Sequence, residues 1–333
     1  MRILLADAFP ETFRSELVNR GHDSRYEPDL TSDQLPDELS GVDVLIVRST
    51  KVTAAALEAA NCLQLVIRAG SGTNTIDCAV AARHGIYVCN VPGKNAAAVA
   101  ELAFGLLLAL DRRIPDNVAD IRDGRWNKKR YSQSRGIQGR KIGVLGLGSI
   151  GLAFVHRAAA FGAQVYAVAK PDRDPEVLTQ ARAAGITFVD SIQTLASTCD
   201  VLSVHVPGSN STHQLVDRDL LARVQPGTIL LNTARGDVID EEALLEAMDA
   251  KGVRAGLDVF QAEPATGTGT VDSALVSHPN VYVTHHIGAS TEQAQQAVAD
   301  GVLEILDQFA QGTVLHCVNR PLESAGSGSE GPT

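Results

Sequence analysis

An α/β protein built from two successive doubly wound parallel-sheet units is predicted by three features of the sequence. Short apolar runs alternate with helical patterns along most of the 333 residues. Many of those runs are continuous Val/Ile/Leu segments, as expected of strands covered by helices on both faces. Two long Ala- and Leu-rich helix candidates bracket a central stretch, which predicts one unit inserted into another.

Taken in chain order, the strand-like runs of the first unit are "RILLADA", "VDVLIVRS", "LQLVIRAG" and "GIYVCNV". The first bracketing helix follows, "NAAAVAELAFGLLLALDRR", apolar enough to be buried almost all round. The second unit supplies "KIGVLGLG", "QVYAVAK", "VLSVHVP", "GTILLNTA", "RAGLDVF" and "VYVTHHIG". The second bracketing helix, "STEQAQQAVADGVLEILDQFAQG", ends at a helix-stop glycine, Gly312. The terminal "ESAGSGSEGPT" is small, polar and rich in Gly and Ser, so residues 322–333 are expected to be a disordered tail.

Bulk properties narrow the function classes. The net charge of -10 argues against a nucleic-acid or anionic-membrane surface. No apolar run approaches the roughly 20 residues of a membrane helix, and the N-terminal run is too short for a signal peptide. The five cysteines, at 62, 78, 89, 199 and 317, form no CxxC pair. That pattern fits free thiols in a reducing cytoplasm, with no metal site.

The segment "KIGVLGLGSIGLAFVHRAAAFGAQVYAVAKPD" reads strand, GxGxxG at Gly146, Gly148 and Gly151, helix, strand. The first glycine permits a tight turn, the second lets backbone approach a pyrophosphate, and the third lets helix pack on strand. The phosphates then meet the amides of the helix N-terminus, where Ser149 and Ile150 stand. The acidic residue expected at the end of the second strand is missing. Ala169 occupies that place, followed by "KPDRD". Without a carboxylate to repel a ribose phosphate, and with Lys170 and Arg173 to attract one, NADP(H) is favoured over NAD(H). The competing reading gives the ribose diol to Asp172 or Asp174.

Three further segments each follow a strand-like run: "LLNTARGDVIDEEAL", "AGLDVFQAEP" and "THHIGAST". Ligands of doubly wound sheets bind at the carboxyl ends of strands. Arg235, Asp258, Glu263 and either His285 or His286 are therefore candidates for one site. Each also has a bland reading, as a surface ion-pair member or a turn former.

Together with "RSTKVT", "LQLVIRAGSGTNTID", "VAELAFGLLLAL" and the terminal Val318–Asn319, these motifs make the chain similar to the D-2-hydroxyacid dehydrogenase family, closest to its D-3-phosphoglycerate dehydrogenase branch. The resemblance covers nearly the whole chain before the tail. It implies two Rossmann-like domains with a cleft between them: an outer, substrate domain of residues 1–97 and 289–321, and a dinucleotide-binding domain of residues 98–288. The catalytic arginine, glutamate and histidine of the family fall on Arg235, Glu263 and His286. The family pattern Pro-His-Ile-Gly places His285 at the proline, a departure that loosens the turn. Further cofactor contacts implied by the resemblance are Val206, Pro207, Thr212, Thr233, Ala234 and Gly288, with Asp258 on the nicotinamide carboxamide.

The chemistry implied is carbonyl reduction by hydride. A protonated His286 donates to the developing oxyanion, since imidazole ordinarily titrates at about 6.5. Glu263 orients the ring, and Arg235 binds the substrate carboxylate. The loop Arg68–Asp77, with Ser71 and Gly72, resembles the one whose amides cradle that carboxylate. Arg48, Lys51 and Arg68 are candidates for a second anionic group, which points to 3-phosphoglycerate/3-phosphohydroxypyruvate or a phosphonate analogue such as phosphonopyruvate. "VPGKNAAAVAE" departs from the family's Gly-Asn-Ser through Lys94 and Ala96 and leaves the distal group open. The alternatives are a glyoxylate/hydroxypyruvate reductase and a dinucleotide-sensing, corepressor-like interaction protein; the complete Arg/Glu/His set argues for turnover. Formate dehydrogenase is disfavoured because that branch has glutamine at the place of Glu263. The resemblance also implies a homodimer.

Overall fold

A computed structural model of the chain describes residues 1–264 and 268–321, and the expected tail lies outside them. The chain divides into two compact units, Met1–Asn95 together with the segment from Glu292 onward, and Ala96–Thr291.

The first unit holds strands β1 (Arg2–Leu5), β2 (Asp23–Tyr26), β3 (Val44–Val47), β4 (Leu65–Arg68) and β5 (Tyr87–Asn90). They form one sheet in the order β2-β1-β3-β4-β5, with every ladder parallel. Alternate side chains feed two cores, as the period of two along a strand requires. Ile3, Leu5, Val44, Ile46, Leu65 and Ile67 pack with Phe13, Leu17, Val302 and Leu306. Leu4, Leu45, Val47, Val66 and Val88 face Leu35, Leu57 and Val80. The helix Glu292–Ala310 is amphipathic and buries Val302, Ile305 and Leu306. It ends in a Schellman arrangement: Gly312 at φ 85 donates to Phe309 O, and Thr313 N donates to Gln308 O at 2.8 Å.

The second unit holds β6 (Lys141–Leu145), β7 (Gln164–Val168), β8 (Thr187–Val189), β9 (Val201–Val204), β10 (Ile229–Asn232), β11 (Arg254–Leu257) and β12 (Val281–Val283). The sheet order is β12-β11-β10-β9-β6-β7-β8, again all parallel. The order reverses between β6 and β9, so the loops after those two strands flank a topological switch point. Along the helix Ala96–Arg112 the exposed residues are Ala97, Glu101, Gly105 and the terminal Arg112. Its other faces pack with Ile142, Val144, Ile229 and Leu231. Among the described residues no helix is long and apolar enough to cross a membrane.

Two strands lack the apolar runs read from the sequence. β2 is "DSRY" and β8 is "TFV", and each lies at a sheet edge. An edge strand is half solvated and carries charge without cost.

Candidate active site

Gly146 directly follows β6 at φ +100, and a Cβ there would lie 2.6 Å from His205 O, in the loop after β9. A Cβ on Gly151 would lie 2.0 Å from Gly146 O, so turn and helix touch through backbone alone. Gly148 is the N-cap of the helix Ser149–Ala160 and provides no side chain to cap it. Nothing lies within 4 Å of the Cβ position of Gly148. The amide end that includes Ser149 and Ile150 therefore opens toward space at the switch point, as a pyrophosphate requires. After β9, Val206 is half-buried and Pro207 exposed. Thr212 Oγ1 donates to Pro207 O at 2.6 Å and accepts from Ser209 N at 2.9 Å, which shapes that loop. The Oγ1 of Thr233, buried after β10, has no hydrogen-bond partner among the described residues. These features fit a dinucleotide.

At the end of β7, Ala169 and Lys170 are exposed. Asp174 caps the next helix, accepting from Glu176 N at 2.7 Å. Asp172 and Asp174, the two aspartates considered for the ribose diol, are both exposed. The Nη2 of Arg173 donates back to Val168 O at 2.9 Å, and its guanidinium lies 6.0 Å from the Phe188 ring. Burial lowers its pKa. Lys170 is thus the more accessible of the two predicted cations.

Three chemical residues come together at the ends of β10, β11 and β12. Glu263 Oε2 lies 2.7 Å from His286 Nδ1, and its Oε1 accepts from Phe260 N at 2.9 Å. Burial pushes the Glu263 carboxyl up, but the bonds from His286 and Phe260 and the charges of His286 and Arg235 outweigh it and hold the group below its usual range. Arg235 is half-buried in extended backbone, and its Nη1 donates to Ala234 O at 2.6 Å. Asn232 at the end of β10 braces this turn, accepting from Ala234 N at 3.0 Å and donating to Arg235 O at 2.9 Å. Gly236 brings the Arg235 turn against the Glu263 loop. A Cβ on it would lie 2.5 Å from Phe260 C.

His286 has φ 52, a left-handed conformation uncommon outside glycine. The strain is held by Asp258, which is 1% exposed. Its Oδ1 accepts from Thr284 Oγ1 at 2.6 Å and Ile287 N at 2.8 Å, while Oδ2 accepts from Gly288 N at 2.8 Å. Three of about four acceptor positions of the carboxylate are thereby used on the histidine loop. Gly288 is buried, and a Cβ there would meet Asp258 Oδ2 at 3.0 Å. His285 and His286 are both exposed, but the described contacts join only His286 to Glu263.

In the first unit the predicted substrate residues follow β3 and β4. Asp7 Oδ2 accepts from the amides of Arg48, Ser49 and Thr50 at 2.6, 3.1 and 3.2 Å. The Arg48 guanidinium donates to Ala8 O at 3.0 Å, and Lys51 is exposed. Arg68 folds over Gly70, whose Cβ position it nearly occupies. Ser71 and Gly72 are half-buried. Ser71 Oγ donates to Asn95 Oδ1 at 3.1 Å, and Asn90 Nδ2 donates to Ser71 O at 2.5 Å. Asp7, Gly236 and Thr284 were not among the residues read from sequence. Their work is done through contacts from other elements; the positions of Asp7 and Thr284 just after strands were the signal that could have found them.

A parallel-sheet unit with an open glycine-rich switch point, and an arginine, a glutamate and a histidine at adjacent strand ends, defines a dinucleotide-dependent oxidoreductase. Residues 104–288 match the family described as D-isomer specific 2-hydroxyacid dehydrogenase, NAD binding domain. The chain is 39% identical to the hydroxypyruvate reductase of Thermotoga maritima over 307 residues, which cover 91% of this chain and 96% of that protein. It is 38% identical to the D-3-phosphoglycerate dehydrogenase of Methanocaldococcus jannaschii, over 89% of this chain and 56% of that one. The chain thus spans about half the length of the phosphoglycerate dehydrogenases it matches. A solved NADPH-dependent glyoxylate/hydroxypyruvate reductase from Sinorhizobium meliloti, in complex with NADP and malonate, superimposes with a TM-score of 0.81 at 30% identity, over 96% of this chain and 98% of that one. The chain belongs to the D-isomer specific 2-hydroxyacid dehydrogenase family.

Proposed function

We propose that the protein interconverts a 2-oxo acid and a D-2-hydroxy acid, with His286 as the proton donor and acceptor. The observation that carries this is the 2.7 Å contact of His286 Nδ1 with Glu263, with the charge of Arg235 acting on the same carboxylate. A reduced nicotinamide, when bound, supplies the hydride. Glu263 accepts from Nδ1 and so presents the opposite nitrogen, Nε2, to a substrate oxygen. Arg235 supplies a planar fork for the substrate carboxylate and stabilises charge that grows on the carbonyl oxygen. Asp258 holds the histidine loop and has one acceptor position left for the nicotinamide carboxamide. In the oxidative direction neutral His286 takes the hydroxyl proton.

For the substrate, Arg48, Lys51 and Arg68 favour a 2-oxo acid with a second anionic group, such as 3-phosphohydroxypyruvate, with the amides of Ser71 and Gly72 on its carboxylate. A specific observation favours a second reading, reduction of hydroxypyruvate or glyoxylate: the Arg48 guanidinium is already bonded to Ala8 O, and a similar protein of matching length is a hydroxypyruvate reductase. For the coenzyme, Ala169 at the strand end, exposed Lys170 and the commitment of Asp174 to its helix support NADP(H). A homodimer is supported by an exposed apolar stripe, Ile114, Val118 and Ile121 on the helix Ile114–Arg122, followed by Trp126 at 80% exposure. The test is loss of reduced-nicotinamide absorbance with NADPH and NADH against 3-phosphohydroxypyruvate, hydroxypyruvate and glyoxylate. Preference for the phosphorylated acid with NADPH is expected. Equal or better turnover of the unphosphorylated acids transfers the case to the second reading, and coenzyme binding without turnover of any of them leaves a dinucleotide sensor.

A further inference from the structure

We propose that Cys89 and Cys317 form a reversible intrachain disulfide, a modification site closed by a peroxide and opened by a thiol reductant. Cys89 lies in β5, and Cys317 is its direct antiparallel partner in the segment that follows the last helix of the first unit. Asn90 N donates to His316 O at 3.3 Å and Val318 N donates to Val88 O at 2.8 Å. Those two bonds flank the cysteine pair and make it a non-hydrogen-bonded pair. In such a pair the Cα atoms are about 4.5 Å apart, inside the range of roughly 4.4–6.8 Å that a disulfide spans. Asn319 fixes the register from the far side, accepting from Val88 N at 2.8 Å and donating to Ile86 O at 2.8 Å.

The two thiols differ in the way that sequential oxidation needs. Cys317 is exposed and Cys89 is buried. Burial first, then the charge of Cys317 and a hydrogen bond to it, push the Cys89 thiol up to about 12. Cys89 is therefore inert to bulk oxidant but in contact with the sulfur that meets it. The Cys317 thiolate attacks the peroxide, breaks the O–O bond and becomes a sulfenic acid while hydroxide leaves and takes up a proton. The Cys89 sulfur then attacks the sulfenic sulfur. The S–S bond forms, the S–O bond breaks, and the Cys89 proton leaves with the hydroxyl as water. Two thiols are oxidised and one peroxide is reduced. A dithiol reverses the change through a mixed disulfide. Cys78 is the competing partner, since its thiol also feels Cys317, but its hydrogen bond goes to Thr73.

The test uses the full chain treated with hydrogen peroxide, alkylated after unfolding, and mapped by mass. The wild type is expected to lose two alkylatable thiols, yield a linked peptide pair containing Cys89 and Cys317, and regain both thiols with dithiothreitol. Cys317→Ser should lose the linked pair, and Cys78→Ser should keep it. Over-oxidation of Cys317 with Cys89 still fully alkylatable, or a linked pair containing Cys78, overturns the proposal.

Discussion

His286 Nδ1 and Glu263 Oε2 lie 2.7 Å apart, and the histidine reaches that position through a left-handed backbone that Asp258 holds in place. The ring is thereby oriented by one carboxylate and its loop by another. Side-chain exposure of 53% for His286 against 28% for Glu263 leaves the ring accessible to a substrate while its partner is more sheltered.

The Glu263 carboxyl is held below its usual range, so the sign of its pH effect follows. Its contribution to stability is present in full above the ordinary glutamate pKa of about 4.3, and is lost as pH falls through the lower folded value. Thermal unfolding of wild type and Glu263→Gln should therefore differ at neutral pH and converge in acid. The same variant should lose turnover on the order of 10²-fold, because the neutral amide stabilises the imidazolium less. A difference in unfolding temperature that persists unchanged to low pH would contradict the ion pair.

Arg235→Lys keeps the charge but loses the fork. The expected cost in kcat/KM for a 2-oxo acid is about 1.5–3 kcal/mol, the worth of a hydrogen bond to a charged group. Steady-state kinetics would show it, with the coenzyme Kd little changed. Full activity in the lysine variant would remove Arg235 from the carboxylate.

Gly236→Ala inserts a Cβ 2.5 Å from Phe260 C. The Arg235 turn and the Glu263 loop must separate, at a cost of about 1–3 kcal/mol for overpacking. Turnover should fall more than stability does, and coenzyme titration should be nearly normal.

Ala169→Asp restores an acid at the end of β7. Coenzyme titration should shift toward NAD(H), since a carboxylate accepts from the ribose diol and repels a ribose phosphate. An unchanged NADPH-to-NADH ratio would show that Ala169 does not set the preference.

The central strands were legible because burial on both faces leaves them little choice but Val, Ile and Leu, as in β3 "VLIV" and β9 "VLSV". β2 and β8 were not, because each is a short edge strand, half solvated, that needs no continuous apolar run. In the site, residues directly after strands were legible, since parallel topology alone gathers them. What stayed hidden depends on partners distant in sequence: the anchoring of Arg173 by Val168 O, Asp7 on the loop after β3, and the threefold hold of Asp258 on the His286 loop. The role of Asp174 as a helix cap also needed the structure, because a helix cap and a ligand carboxylate look alike in sequence.

The most direct test compares kcat/KM for 2-oxo acid reduction in His286→Ala and His285→Ala, with coenzyme binding measured in both. His286→Ala should lose about 10²- to 10⁴-fold, the usual worth of a general acid, with coenzyme binding nearly intact, while His285→Ala keeps most of its rate. Loss of turnover confined to His285→Ala would contradict the assignment of the acid to the histidine that Glu263 holds.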